Sequence, residues 1–334
     1  MGAVLDIDSP FVFGWGARGI GKTYGALKEL YERGKPFALM RNTQSELDMM
    51  LGGEVGNPFS TLNNDFGWEV VAERLPGNKY LGAFYNGVKD QGMLKAAGKP
   101  IGYVMSLSTV GRVRGADFSE IEIIFFDEFI AESHLKTVKN AGDAFLNAYE
   151  TINRNRELQG REPLKVVCMA NANRVDNDIF YELGLVTKAY NMQRKKIEIE
   201  QDKARGVTLI NFTSSPIAQA KRETALYKLS GADSDFYSMA IENDFGYDAS
   251  LVKSLNIKPF RFLANVGELD IYEHRDGAGY YIRPAKRVGV GFPSTERGLK
   301  SAKYRYGWLH GAWLDGSITF ENVLCSVIFE RYFG

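Results

Sequence analysis

Residues 16–23, Gly-Ala-Arg-Gly-Ile-Gly-Lys-Thr, have the spacing G-x-x-x-x-G-K-[ST]. Glycine backbone can wrap with its N–H groups turned inward to phosphate oxygens, and a helix starting there adds positive potential. Lys22 would reach the β- and γ-phosphates of a nucleotide, and the Thr23 hydroxyl would ligate Mg²⁺. The candidate nucleotide-binding set is Gly16, Gly19, Ile20, Gly21, Lys22, Thr23 and Tyr24. Farther along, in IEIIFFDEF, an apolar run ends in Asp127 and Glu128. Asp127 would hold Mg²⁺ through its water shell, and Glu128 would polarise an attacking water. An acidic helix cap is the bland alternative, but two carboxylates ending a buried strand downstream of a phosphate loop argue against it. Glu128 favours hydrolysis over kinase or switch chemistry. The guanine-recognition pattern N-K-x-D is absent, because Asn78-Lys79 is followed by Tyr80-Leu81.

Three more polar features belong with these. The run Met169-Ala170-Asn171-Ala172-Asn173 closes a later strand, and Asn171 there can sense the γ-phosphate or act as a turn residue. Arg112 and Arg114 precede the Asp-Glu strand in GRVRG. Arg154 and Arg156, in NRNRE, end a helix that is expected at the same sheet edge as the two carboxylates. Solvated arginines at a helix C-terminus are one reading of these clusters. An arginine finger reaching a neighbouring subunit's ATP is the other, worth roughly 10³–10⁵ in rate.

The elements that must position these residues read as α/β. PFVFGW (10–15), PFALMRN (36–42), YVMSLS (103–108), IEIIFFDE (121–128) and LKVVCMAN (164–171) are strand-like, and most are continuously apolar. Strands buried on both faces of a parallel sheet read that way. Helical periodicity runs through 23–34 and 141–157, and a hairpin inserted at 66–90 turns at Pro76-Gly77-Asn78. The interval between Lys22 and Asp127 leaves room for a strand inserted between the loop strand and the Asp-Glu strand. That layout resembles the additional-strand, catalytic-glutamate P-loop ATPases. After about Tyr190 the texture becomes charged, then helical and polar over 217–255. PFRFLANVGELDIYEHRDGAGYYIRP (259–284) reads as consecutive strands turning at Asp276-Gly277, and the chain closes with a strand and a helix. These textures predict an ATPase domain over 1–197, a linker or helical subdomain over 198–252 and a small α+β domain over 253–334.

The bulk numbers set outer limits. The chain has 334 residues, 45% hydrophobic and 25% charged, which is globular composition. Basic and acidic residues number 41 each, so DNA would be met through a few local cations rather than a general coat. No apolar run approaches the ~20 residues that span a bilayer, and no membrane partner is expected. The acidic start, MGAVLDIDSP, lacks the basic segment of a signal peptide. Cys168 and Cys325 sit in apolar runs and are expected to be core residues in a reducing setting. The three histidines are scattered, without metal-site spacing.

GARGIGKTYG, FDEFI and NRNRE, in this order and spacing, resemble the phi-29-type phage DNA-packaging ATPases, relatives of terminase large subunits. The run RGADFSEIEIIFFDE is similar to the terminase pattern of Arg-Gly shortly before the Asp-Glu strand. The strong matches lie in residues 11–175. The resemblance implies a P-loop NTPase with a mainly parallel sheet and helices on both faces, then a small α+β RNase H-like domain that has lost nuclease activity. It implies Mg²⁺ and ATP, a homopentameric ring on the portal vertex of a procapsid, and double-stranded DNA driven inward by hydrolysis. The setting would be host cytoplasm, with the protein transiently on the portal and absent from the mature virion. By position, Arg154 matches the family's trans-acting arginine and Arg114 a second trans-acting basic residue. A packaging RNA, used by some relatives, is left open.

Two features depart from the family or favour bland readings. Gln44 stands where relatives can carry a basic residue, so DNA contacts do not transfer one by one. Lys136 and Lys139 are candidate pore lysines, although a solvated helix face explains them as well. The alternatives to a translocase are a metal-dependent nuclease with a regulatory ATPase and a nucleotide-gated DNA-binding scaffold. A nuclease needs clustered carboxylates for two metals. Asp270, Glu273 and Asp276 are the nearest candidates, crowded on one strand and its turn, where surface and turn roles are commoner.

Overall fold

A computed structural model describes residues 1–91, 93–131, 138–171, 177–212, 224–230, 250–286 and 291–334. The chain divides into two compact units, Met1–Gly246 and Tyr247–Gly334. The first is built on one nine-stranded sheet of order β3-β4-β5-β2-β6-β7-β1-β9-β8. Its strands are β1 (Phe11–Gly16), β2 (Phe37–Arg41), β3 (Val70–Arg74), β4 (Gly82–Asp90), β5 (Met93–Ser106), β6 (Ile123–Asp127), β7 (Lys165–Asn171), β8 (Ile199–Asp202) and β9 (Val207–Phe212). β5, β2, β6, β7, β1 and β9 run parallel, and antiparallel pairs close both edges. The strand lying between the loop strand β1 and the Asp-Glu strand β6 is β7, which follows both in sequence.

Burial on both faces explains the continuous apolar runs. On one face Val12, Leu39 and Phe125 pack with Ala26, Leu27 and Leu30 of α2 (Lys22–Glu32). On the other, Phe13 meets Phe145 of α5 (Ala141–Asn153) and Phe180 of α6 (Asp178–Glu182), with ring centroids 6.0 and 5.9 Å apart. The preceding helices are α1 (Gly2–Leu5), α3 (Gln44–Met50) and α4 (Ser60–Phe66), and α7 (Val186–Lys195) follows. At Gly14 in β1 a Cβ would lie 2.6 Å from the Met169 sulfur on β7, so any larger residue there would displace the end of that side chain.

Residues 198–212, expected to begin a linker, instead supply β8 and β9, and β9 pairs with β1 itself. β8 is an edge strand with alternating exposure, so its sequence IEQD is half polar, and this hides it from a search for apolar runs. Of the helical stretch expected at 217–255, the described part includes α8 (Ala225–Ser230).

The second unit has a four-stranded sheet of order β10-β11-β12-β13: β10 (Phe260–Val266), β11 (Leu269–His274), β12 (Tyr280–Pro284) and β13 (Ile318–Phe320). The first three are antiparallel and β13 joins β12 in parallel. Helices α9 (Glu296–Tyr306), α10 (Trp308–Leu314) and α11 (Val323–Phe333) accompany it. Phe320, Phe329 and Tyr281 are almost fully buried in its core. No helix among the described residues is long and apolar enough to cross a membrane.

Candidate nucleotide-binding site

Parallel strands deliver their C-terminal ends to one edge, where ligands of open α/β sheets bind. The register here pairs Gly16 with Asn171, Asp127 with Met169, and Met40 with Phe126. Gly16, Asn171, Asp127 and Arg41 are thereby brought to adjacent strand ends. Between β1 and α2 the loop turns through Gly19 and Gly21 at φ 70° and 81°, a region glycine enters without Cβ penalty.

Lys22 opens α2 and is 9% exposed. Its ammonium donates to the Ala17 carbonyl at 2.8 Å, the Gly16 carbonyl at 3.3 Å and the Asn171 side-chain oxygen at 3.0 Å. These are neutral acceptors, so phosphate oxygens would give the ammonium charge-assisted hydrogen bonds instead. The Thr23 hydroxyl donates to both Asp127 carboxylate oxygens, at 3.0 and 2.9 Å. Hydroxyl and carboxylate oxygen suit Mg²⁺, which takes one or two protein carboxylates and completes its shell with water and phosphate. Among the described residues no cluster of three or more His, Cys, Asp or Glu side chains that could hold a metal ion occurs.

Glu128 follows β6 with φ 54°, uncommon for a non-glycine residue. Two residues at the end of β2 hold it there. The Asn42 amide donates to the Glu128 carbonyl at 2.6 Å, and Arg41 Nη2 donates to its carboxylate at 2.9 Å. Arg41 Nη1 also donates to Asp127 at 2.7 Å, and its Nη2 and Nε lie 3.2 and 3.3 Å from Glu46. Burial opposes the Arg41 charge, but Asp127, Glu128 and Glu46 outweigh it and raise its pKa. Glu46 is meanwhile the third residue of α3, closing a capping box with Thr43. Sequence reasoning missed Arg41. The available signal was a basic residue ending the strand next to β6, and it needs the β2–β6 pairing to be seen.

Other predicted residues fall elsewhere. Tyr24 turns away to α4, its hydroxyl donating to Asp65 at 2.6 Å, a bond that raises the phenol pKa. Gln44 accepts from the Thr109 hydroxyl at 2.8 Å. Lys139 is exposed just before α5, and Lys136 lies outside the described residues. Both cysteines are buried as free thiols.

Arg154 is not at the sheet edge expected of it. α5 runs back along the sheet from the end of β6, so its C-terminus reaches the start of β7. There the Leu164 N–H donates to the Asn153 side chain at 3.0 Å. β7 is 7 residues long, about 23 Å at ~3.3 Å per residue, and Asn171 is at its far end. Arg154 therefore cannot serve the site of its own chain. Its Nη2 donates to the carbonyls of Arg114 and Ala116 at 2.8 and 2.6 Å. Arg114 and Arg154 line one shallow cleft with Glu150, Thr151 and Asn155. The two predicted trans-acting residues are thus neighbours.

The nuclease candidates are dispersed. Asp270 and Glu273 fall on opposite faces of β11. Asp270 accepts from Asn265 at 3.0 Å and Glu273 pairs with Arg261 at 2.7 Å, whereas Asp276 is exposed.

The podovirus DNA encapsidation protein (Gp16) family matches residues 3–267. The DNA packaging protein of Bacillus phage B103 is 26% identical over 272 residues, 79% of this chain and 73% of that relative. The DNA packaging protein of Bacillus phage phi29 is 26% identical over 269 residues, covering 79% and 70%. The solved bacteriophage phi-29 viral genome packaging motor assembly shares the fold, with a TM-score of 0.64, 20% identity and coverage of 99% and 98%.

Proposed function

The chain belongs to the podovirus DNA encapsidation protein (Gp16) family, and we propose that it is an ATP-hydrolysing translocase that drives double-stranded DNA into a phage procapsid. The observation that carries this reading is the convergence of Lys22, Thr23, Asp127, Glu128 and Asn171 on one sheet edge. Backbone N–H groups of residues 19–23 would receive the phosphates, and Lys22 would exchange its carbonyl partners for β- and γ-oxygens. Thr23 and Asp127 would hold Mg²⁺, whose charge offsets that of the phosphates. Glu128, held by Arg41 and Asn42, would take the proton of the attacking water. Asn171, already on Lys22, is placed to respond to the γ-phosphate.

Arg154 and Arg114 would complete the site of an adjacent copy, which makes a ring, pentameric in the resemblance, the working form. About 23 Å of sheet between Arg154 and its own loop supports action in trans. The C-terminal unit, with its carboxylates committed elsewhere, fits a DNA- and portal-contacting module of vestigial nuclease type better than an active nuclease. A packaging RNA is compatible with this assembly. The protein would work in host cytoplasm, on the portal vertex. ATPase measured with procapsids and DNA together should exceed the rate with either alone. A flat rate under all three conditions would leave a nucleotide-gated scaffold as the better account.

A further inference from the structure

The segment Arg114–Ile121 carries Arg114 and leads into β6, yet it forms no helix or strand. Its carbonyls need partners. Three arginines after α5 supply them. Arg154 takes the carbonyls of Arg114 and Ala116. Arg156 Nη2 donates to Ser119 at 3.0 Å and also to Ile121. Arg161 Nη2 donates to the same Ser119 carbonyl at 2.7 Å.

Arg156 is 4% exposed, and its Nε–H is buried without a partner among the described residues. Its hydrogen bonds go to carbonyls rather than to a carboxylate. Burial, and then the charge of Arg161, lower its pKa. A buried cation satisfied this way is costly, so its value lies in what it holds in place. Arg156 makes both contacts through Nη2, whose two N–H bonds are fixed in the guanidinium plane, a direction that a freely rotating ammonium does not fix. The backbone bearing these arginines is itself constrained: Arg154 and Asn155 have φ of 45° and 59°, and the Arg161 N–H donates back to the Arg156 carbonyl at 3.0 Å.

We infer that Arg156, supported by Arg161, is a positioning residue that fixes Arg154 and Arg114 as one preassembled trans-acting module. This rests on the reading of Arg154 and Arg114 given above. Arg156 and Arg161 anchor the Ser119–Ile121 half of the segment. Arg154 holds the other half and can leave its two neutral carbonyls for a phosphate. Moving Arg154 onto a neighbour's nucleotide would then release Arg114 toward the same target, while the anchored half stays in register.

The test mixes full-length chains on procapsids with DNA. One chain is Lys22→Ala, dead in its own site with an intact module. The other is Arg156→Met or Arg161→Ala, with an intact site and a disturbed module. Each pure ring of the second kind should turn over at least 10-fold more slowly than wild type. Binding of a fluorescent ATP analogue to the isolated chain should change less than twofold. Mixing with Lys22→Ala should raise the rate above both pure preparations, and Arg156→Lys should restore only part of it. Should Arg156→Met fail to fold, Arg161→Ala, an exposed position, carries the test alone. Arg154→Ala mixed with Lys22→Ala is the reference. Rescue with Arg154→Ala and none with the Arg156 or Arg161 variants overturns this inference and leaves the finger. Absence of rescue in every mixture overturns the finger itself.

Discussion

Arg41 pairs with both carboxylates of the site, so its removal has a calculable cost. In Arg41→Met, the Asp127 carboxylate, 3% exposed, loses its only ion pair among the described residues and keeps the Thr23 hydroxyl. Removing one partner of a buried pair costs about 3–5 kcal/mol. Glu128 and Glu46 are 37% and 24% exposed in their side chains, so solvent screens much of their share. A net loss of about 3 kcal/mol is therefore expected without metal. For a unit spanning Met1–Gly246, about 2–4 °C per kcal/mol converts this to a fall in Tm of about 6–12 °C. Mg²⁺ should reverse part of it, because the cation restores positive charge at Asp127 without competing with a guanidinium. Thermal unfolding in EDTA and in millimolar Mg²⁺, for both proteins, reads this out. The variant should gain more from Mg²⁺ than the wild type. An unchanged Tm in EDTA, or an equal Mg²⁺ response in both, would refute the electrostatic argument.

The other expectations use single substitutions or simple titrations. Thr23→Val keeps shape and removes the hydroxyl on Asp127. Affinity for an ATP analogue should fall roughly tenfold, about 1.4 kcal/mol, with Mg²⁺ and not change in EDTA. Burial pushes the Tyr149 phenol up to about 12, with Glu157 adding to the shift. With the folded pKa above the unfolded value of ~10, this stability is present below pH ~10 and lost as pH rises toward 12. Thermal stability should decline in that window, less steeply in Tyr149→Phe. Burial holds the Cys168 thiol far above its ordinary range and raises Cys325 to about 12. Iodoacetamide near neutral pH should label neither until the chain is unfolded in denaturant.

Local chemistry was legible in the sequence where one short stretch contained all of its reason. The glycines, Lys22 and Thr23 announce a phosphate loop between a strand and a helix. Asp127 and Glu128 announce a strand end at the ligand edge. What needed register was not legible. Arg41 becomes part of the site only because β2 lies beside β6, a pairing between residues distant in sequence. The location of Arg154 follows from connectivity that the helix end alone does not show: α5 joins two parallel strands, so its C-terminus must return to the edge where β7 begins, away from the carboxylates. The linker expected from 198 onward follows the charged sequence of β8, an exposed edge strand, and overlooks the apolar run VTLINF of β9, which is buried beside β1. In the second unit the consecutive strands and the closing strand and helix were legible as closely spaced apolar runs, and alternation along β11 separates carboxylates that look clustered in sequence.

Turnover by Glu128→Gln tests the central claim most directly. Glutamine keeps the size of the side chain and its contact with Arg41 but cannot take a proton from water, and loss of a general base costs roughly 10²–10⁴ in rate. The variant should bind ATP with near wild-type affinity, show no DNA-stimulated hydrolysis on procapsids and leave the DNA sensitive to added nuclease. Hydrolysis and DNA protection at the wild-type rate would contradict the assignment of Glu128 and, with it, the hydrolytic motor.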